Sequence, residues 1–375
     1  MSGWQWVFIE ASDVWLFRDN KPFTAQQNFV ARGQFPPTPM TMQGVVRTYY
    51  LEKQLERAGG TWDDYRRGEV SGDIIEMVGL PAFNGRAAAL GALRVTGPVV
   101  ARRDGAGGVE RLIRAPLDLV ARKKQDQADP PEYRLLTPAD ECGFSTTPPF
   151  DGWRPLVGGG EGFKESEGWL TETQFLSYLK GDVSGISGLI QDDDLFQPEN
   201  RVGLKLNSRR RANEMGFFYT AQFTRPCDGV GLLIGTQPEA IFEETAGFIG
   251  LGGEARTGRF QVVQDVTALP QTGKGRVRIV LLTPAYFSGG WLPHDGWSQW
   301  VGGGRLVSVA VGKPQSISGW DMAANAPKPL RHYVPAGSVF FFEDADVTGI
   351  PFTETPADSL DHGALGFGTF AVGSW

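Results

Sequence analysis

Glycine alternates with apolar residues through positions 361–375, at a terminus where most chains fray. Glycine loses more conformational freedom on folding than any other residue, so a run of it marks backbone that passes where a Cβ would clash. Tight turns, close backbone approach and phosphate cradles all have that need. A second run, Gly250-Leu251-Gly252-Gly253-Glu254-Ala255-Arg256, ends in arginine. With 50 glycines and 25 prolines among 375 residues, the chain is too rich in both for a helical protein and suits short strands joined by long loops.

A chain of this length exceeds one hydrophobic core, so two packed modules, or one with large insertions, are expected. A hydrophobic fraction of 41% and 11 tryptophans argue against disorder. The net charge of −7 counts against a free-standing nucleic-acid binder, which is usually basic. It leaves room for a local basic groove, because the field at a site is local. The two cysteines, Cys142 and Cys227, lack CxxC spacing, which argues against a disulfide framework or a cysteine zinc site. Residues 1–13 lack a basic segment followed by an apolar run, so no signal peptide is read. No stretch approaches the roughly 18 apolar residues of a membrane span. A soluble, reduced, cytoplasmic protein is expected.

Residues 6–17 read as a first strand. At Pro39 the period changes: Met42, Val45, Val46, Tyr49 and Leu55 follow helical spacing, and Gly59-Gly60 closes the segment. Thr38 and Pro39 occupy the favoured N-cap and N1 positions. Residues 93–101 read as a strand. Residues 102–200 read as irregular, apart from a capping box, Thr171-Glu172-Thr173-Gln174, which starts a helix through Leu179. Strands then dominate: residues 201–206, 217–223, 230–234, 259–266, 276–282, 306–311 and 339–342. Residues 238–245 are the best short helix candidate in this half, and Gly273-Lys274-Gly275 reads as a hairpin turn. Residues 151–160 echo residues 295–304 at seven of ten positions, which fits either an old duplication or two similar loops.

The motifs that carry chemistry are few. Gly250-Leu251-Gly252-Gly253-Glu254-Ala255 fits G-x-G-x-x-[GA], but a dinucleotide site needs a helix next, and residues 258–263 read as a strand. The three histidines, His294, His332 and His362, never stand four apart, and no metal site is read. His362 is the one candidate general base, against the reading of a loop histidine bonded to backbone. Asp192-Asp193-Asp194 reads as a solvated turn. The basic pattern is stronger. Arg201, Lys205, Arg209, Arg210 and Arg211 stand together with no acidic residue among them, and Asn207 and Ser208 add donors. Arg256 and Arg259 flank the first glycine run, and Arg47 falls on the first helix. Each reads singly as a solvated surface. Beside glycine loops that expose backbone N–H groups, they suit phosphate contacts. The aromatic residues supply stacking partners for unpaired bases.

The sequence resembles the RAMP superfamily of CRISPR proteins, and is most similar to the subunit of type III-B (Cmr) effector complexes that holds the repeat-derived 5′ tag of the guide RNA. The segments carrying the resemblance are Asp13-Val14-Trp15-Leu16-Phe17-Arg18-Asp19 with Pro22-Phe23; Phe35-Pro36-Pro37-Thr38-Pro39 with Gly44-Val45-Val46-Arg47-Thr48; Arg201-Val202-Gly203 through Gly216-Phe217-Phe218-Tyr219; the first glycine run; Gly319-Trp320-Asp321; Pro327-Lys328-Pro329; Pro335-Ala336-Gly337-Ser338-Val339; and residues 363–368, similar to the superfamily's C-terminal glycine-rich loop.

The resemblance implies an α+β fold of two ferredoxin-like modules with antiparallel sheets. We set the first at residues 1–200, including the irregular insertion at 102–200, and the second at 201–375. It also implies a non-catalytic subunit with no cofactor. That subunit would cap the base of the complex and bind the crRNA tag beside the large polymerase-like subunit and the first backbone RAMP subunit. The RNA-binding candidates are then Arg18, Gln43, Arg47, Lys205, Asn207, Arg209, Arg210, Arg211, Gly252, Gly253, Arg256, Arg259, His362, Gly363, Gly366 and Gly368. Two other readings stay open. One is a RAMP endoribonuclease processing precursor crRNA, although such enzymes commonly rely on a histidine in the N-terminal half and this half has none. The other is a β-rich carbohydrate-binding protein.

Overall fold

The structure, a computed structural model, describes residues 3–18, 30–105, 107–123, 130–139, 152–207, 212–239, 241–321 and 326–375. In chain order its main elements are β1 (Gln5–Ala11), α1 (Pro39–Ala58), α2 (Trp62–Arg67), α3 (Gly72–Val78), β2 (Arg94–Arg103), β3 (Val109–Arg114), β4 (Trp169–Thr171), α4 (Glu172–Leu179), β5 (Phe196–Asn207), β6 (Ala212–Pro226), β7 (Val230–Gln237), β8 (Ala246–Gly250), β9 (Thr257–Val263), β10 (Lys274–Leu281), α5 (Ser298–Val301), β11 (Arg305–Ala310), β12 (Val339–Asp346) and β13 (Phe370–Ser374). Few helices beside many antiparallel strands make an α+β protein.

The chain forms two compact units, and both are discontinuous. The first comprises residues 1–109, 192–264 and 316–331; the second comprises 110–191, 265–315 and 332–375. A single boundary after residue 200 therefore does not describe them. Residues 110–191 are not an appendage of the first unit but pack with the second, since their apolar side chains cover one face of its sheet.

In the first unit the strands lie in the order β2-β7-β1-β9-β8, antiparallel throughout. The register sets Val7 against Ile234 and Ile9 against both Leu232 and Phe260. These side chains share one face and bury Met42, Val46, Tyr49 and Leu55 of α1 against them. The helix begins where expected. Thr38 Oγ1 accepts from the Thr41 amide at 3.3 Å and Pro39 holds N1. It ends at Gly59 in the left-handed region (φ +64°), with the Gly60 amide on the Leu55 carbonyl at 2.9 Å.

Two local expectations fail. Residues 238–245 form no helix among those described. The Gln5 side chain takes the place of helical hydrogen bonds, its Nε2 donating to the Phe242 carbonyl at 2.8 Å and its Oε1 accepting from the Phe242 amide at 2.9 Å. Ile241 and Phe242 are thereby held in the core. Gly273-Lys274-Gly275 is not a hairpin turn either. It runs into β10, with Lys274 opposite Asp346 of β12.

In the second unit the order is β11-β12-β10-β13, again antiparallel. Phe340 and Phe342 face one core, with Ile279, Trp300 and Phe352; Phe341 faces the other, with Val280, Phe175 and Tyr178. A strand covered on both faces accounts for the unbroken apolar run at 339–342. The helix α4 carries the expected capping box, with Thr171 and Gln174 bonded reciprocally at 3.0 and 3.3 Å.

The two units share a strand order. Taking the first unit's strands as β1, β2, β7 and β9, and the second's as β10, β11, β12 and β13, each sheet reads second–third–first–fourth. In each unit a glycine run directly precedes the fourth strand. The echo between residues 151–160 and 295–304 is not the trace of this repeat, because both segments fall in the second unit.

Candidate nucleic-acid interface

The long hairpin of β5 and β6 brings charged side chains together at its base. Glu199 stands opposite Phe223 and Gln197 opposite Arg225, and residues two apart on a strand share a face. Asp13, which follows β1, reaches this face. Its carboxylate accepts from Arg201 at 2.8 Å and from Arg225 at 2.9 Å, while Glu199 accepts from the same two guanidinium groups at 2.6 Å each. Arg256 adds a third guanidinium, 3.8 Å from Asp13 and 4.0 Å from Glu254. Beneath them lies Phe223, 1% exposed, with Arg201 and Arg256 at 5.1 and 4.8 Å from its ring centroid. The hydrogen bonds from Arg201 and then Arg225 hold the Asp13 carboxyl below its usual range; Arg225 and then Arg201 do the same for Glu199. Arg201 and Arg256 are thus internally paired, and a phosphate arriving here would compete with carboxylates already in place.

The first glycine run is the turn between β8 and β9. The Leu251 amide donates to the Arg256 carbonyl at 2.8 Å, and Gly253 donates to the Leu16 carbonyl at 2.8 Å. Gly252 has φ +93°, and a Cβ there would sit 2.9 Å from the Leu16 oxygen. Glycine is required because the turn lies against backbone of its own unit. A strand follows, so the dinucleotide fingerprint lacks its helix. Arg259, on β9, points outward and its side chain has no hydrogen bond or ion pair within the described residues.

The remaining candidates are dispersed. Arg18 is exposed beside a bridge to Gly33. Gln43 is 7% exposed on the buried side of α1. Arg47 donates to the Tyr65 hydroxyl, which donates onward to the Gly79 carbonyl at 3.0 Å. Lys205 and Asn207 stand on β5, while Arg209, Arg210 and Arg211 lie outside the described residues.

The C-terminal glycine loop turns inward. His362 is 1% exposed. Its Nε2 lies 2.8 Å from the Tyr333 hydroxyl and its Nδ1 3.0 Å from the Leu360 carbonyl. The ring stacks on Tyr333 and Phe367. The amide of Gly363 donates to Asp361 Oδ1 at 3.0 Å, that of Gly366 to the Gly363 carbonyl at 3.1 Å, and that of Gly368 to the Pro284 carbonyl at 2.8 Å. A Cβ at Gly368 would lie 2.7 Å from the Phe352 carbonyl. These three amides close the loop on its own sheet. His362 is likewise a core histidine bonded within its unit.

Sequence reasoning missed Asp13, Glu199 and Phe223, which complete the arginine cluster. Asp13 stood in one of the motifs, but its partners lie far along the chain. Among the described residues no three His, Cys, Asp or Glu side chains gather as metal ligands do, and no helix is long and apolar enough to cross a membrane.

This acidic chain, with two units of one strand order and a glycine turn before each fourth strand, matches a family model of CRISPR-associated proteins. The family described as CRISPR-associated protein (Cas_Cmr3) matches residues 7–375, and the chain belongs to it. No curated protein matches the sequence. Among solved structures, the fold is similar to a chain of the cryo-EM structure of the Type III-B Cmr-beta bound to cognate target RNA and AMPPnP. The TM-score is 0.51 at 16% identity, covering 90% of this chain and 86% of that one. A second similar chain comes from the Type III-B Cmr-beta bound to cognate target RNA, with TM-score 0.50, 15% identity and the same coverage.

Proposed function

We propose that the chain is a non-catalytic structural subunit of a type III-B CRISPR effector complex, working in the cytoplasm, that grips the repeat-derived 5′ tag of the guide RNA. The observation that carries this reading is the family match over nearly the whole chain. We take the shared second–third–first–fourth strand order as two ferredoxin-like modules, and the partners as the large polymerase-like subunit and the first backbone RAMP subunit. Within this reading the RNA meets the first unit, along the β5–β6 hairpin, with Arg209, Arg210 and Arg211 between its strands in sequence and Arg259 on β9. The inward C-terminal loop serves the fold. The endoribonuclease reading loses its one candidate base, since His362 is bonded inside the second unit.

The test replaces Arg209, Arg210 and Arg211 by alanine together in the assembled complex. Guide retention falls, and the salt slope of binding drops by about 0.7 for each phosphate that no longer meets a cation on a single strand. Unchanged guide retention and slope would remove these three arginines from the interface.

A further inference from the structure

We propose that Phe248 and Arg259 form a base-stacking and phosphate-binding element for single-stranded RNA on the edge of the first unit's sheet. The proposal rests on the RNA-binding reading above and assigns to it a residue, Phe248, that no sequence motif marked.

Phe248 lies on β8, the edge strand, which among the described residues pairs only with β9. It is 69% exposed, while its neighbour Ile249 is buried in the core at 4%. The alternation therefore fixes the strand by Ile249 and presents the phenyl ring to solvent. Its ring meets no other ring or cation among the described residues.

Directly opposite in register stands Arg259, exposed and equally without a partner for its side chain among the described residues. The carboxylate that could neutralise it is Glu10, its register partner on β1. Glu10 is engaged elsewhere, accepting from Arg103 Nε at 3.1 Å on both oxygens, and Arg103 also donates to Gln261 at 3.1 Å. An unopposed guanidinium beside an unopposed aromatic face matches a ligand that carries anions and π faces in alternation.

Single-stranded RNA is such a ligand. Bases stack on aromatic side chains whatever their sequence, and the phosphate between them takes the arginine. An apolar protein surface would satisfy Phe248 and leave Arg259 desolvated, so RNA is the occupant the pair favours.

The test uses the assembled complex carrying its guide RNA, with Phe248→Ala, Phe248→Trp and Arg259→Ala. Ultraviolet crosslinking joins RNA to the peptide containing β8 in the unaltered complex, and Phe248→Ala abolishes it. Loss of one stacked base speeds guide dissociation roughly tenfold, and Phe248→Trp restores it. Arg259→Ala lowers the salt slope by about 0.7. If Phe248→Ala crosslinks and retains guide like the unaltered protein, while the variant lacking Arg209, Arg210 and Arg211 loses it, this element is overturned and the RNA-binding reading stands. Loss of the Phe248→Ala subunit from the complex, with no RNA crosslink to β8 in the unaltered complex, would make the surface a protein contact, against the proposal. No RNA crosslink anywhere on the unaltered chain would sink both.

Discussion

Arg278 and Asp118 meet at 2.9 Å with side chains 1% and 0% exposed, a buried ion pair at the heart of the second unit. Tyr178 donates to the other Asp118 oxygen at 2.6 Å, and Arg278 donates twice to the Ser374 carbonyl, at 3.0 and 2.8 Å. Burial pushes the Tyr178 hydroxyl well above its ordinary pKa, so it stays a donor. The pair thus ties residue 118, α4 and the end of β13 to the central strand β10. A buried charge left alone is costly, so Arg278→Met lowers stability by about 3–5 kcal/mol, whereas Asp118→Leu with Arg278→Met costs far less. Denaturant midpoints of the three proteins check this; equal midpoints for the single and double variants would refute it.

Two glycines respond to alanine in opposite directions. Gly368 has φ +64° and its new Cβ would meet the Phe352 carbonyl at 2.7 Å. Gly368→Ala therefore destabilises by more than about 1 kcal/mol. Gly44 sits inside α1, where an added Cβ meets nothing within 4 Å, so Gly44→Ala stabilises by about 0.5–1 kcal/mol through helix propensity. Thermal melts of the two variants give the signs directly.

What the sequence revealed was local. Thr38, Pro39 and Gly59 bounded α1, and Thr171 with Gln174 opened α4, because caps act within one turn of the residues that make them. The apolar run at 339–342 marked a strand because both its faces are covered. The helix expected at 238–245 failed because its hydrogen-bond partner, Gln5, lies 237 positions from Phe242. The short helix Ser298–Val301 has no side-chain cap to announce it. The arginine cluster was half legible. Arg201 and Arg256 stood out as basic residues near glycine, but Asp13 pairs with Arg225 across 212 positions, and charge runs along the chain conceal such partners. The units' interleaving escaped for the same reason: strand order is set by pairing across sequence distance, which composition does not record.

The carboxylates of that cluster make stability at acid pH diagnostic. Asp13 and Glu199 are held below their ordinary values of 3.8 and 4.5 by the arginines. A depressed folded-state pKa contributes stability above the unfolded value and loses it as pH falls through the folded value. Melting temperature therefore drops as pH is lowered beneath about 4.5, and Asp13→Asn with Glu199→Gln flattens that part of the profile. At neutral pH the same double variant frees Arg201 and Arg225 and strengthens RNA binding with a steeper salt slope. A profile identical to that of the unaltered chain would show that the ion pairs contribute nothing to folding.

His362 separates a structural histidine from a catalytic one. Its two ring nitrogens face the Tyr333 hydroxyl and the Leu360 carbonyl, and the ring is 1% exposed. Removing it takes one hydrogen bond from the buried Tyr333 hydroxyl and one from the half-buried Leu360 carbonyl, a loss of roughly 1–3 kcal/mol. His362→Ala should therefore melt earlier, while incubation of the unaltered chain with a repeat RNA yields no site-specific product for the variant to lose. Denaturing gels of the RNA and melting curves of both proteins, taken on the same preparations, read the two outcomes separately. Site-specific cleavage by the unaltered protein that vanishes in a still-folded His362→Ala would overturn the non-catalytic reading, whatever the stability change.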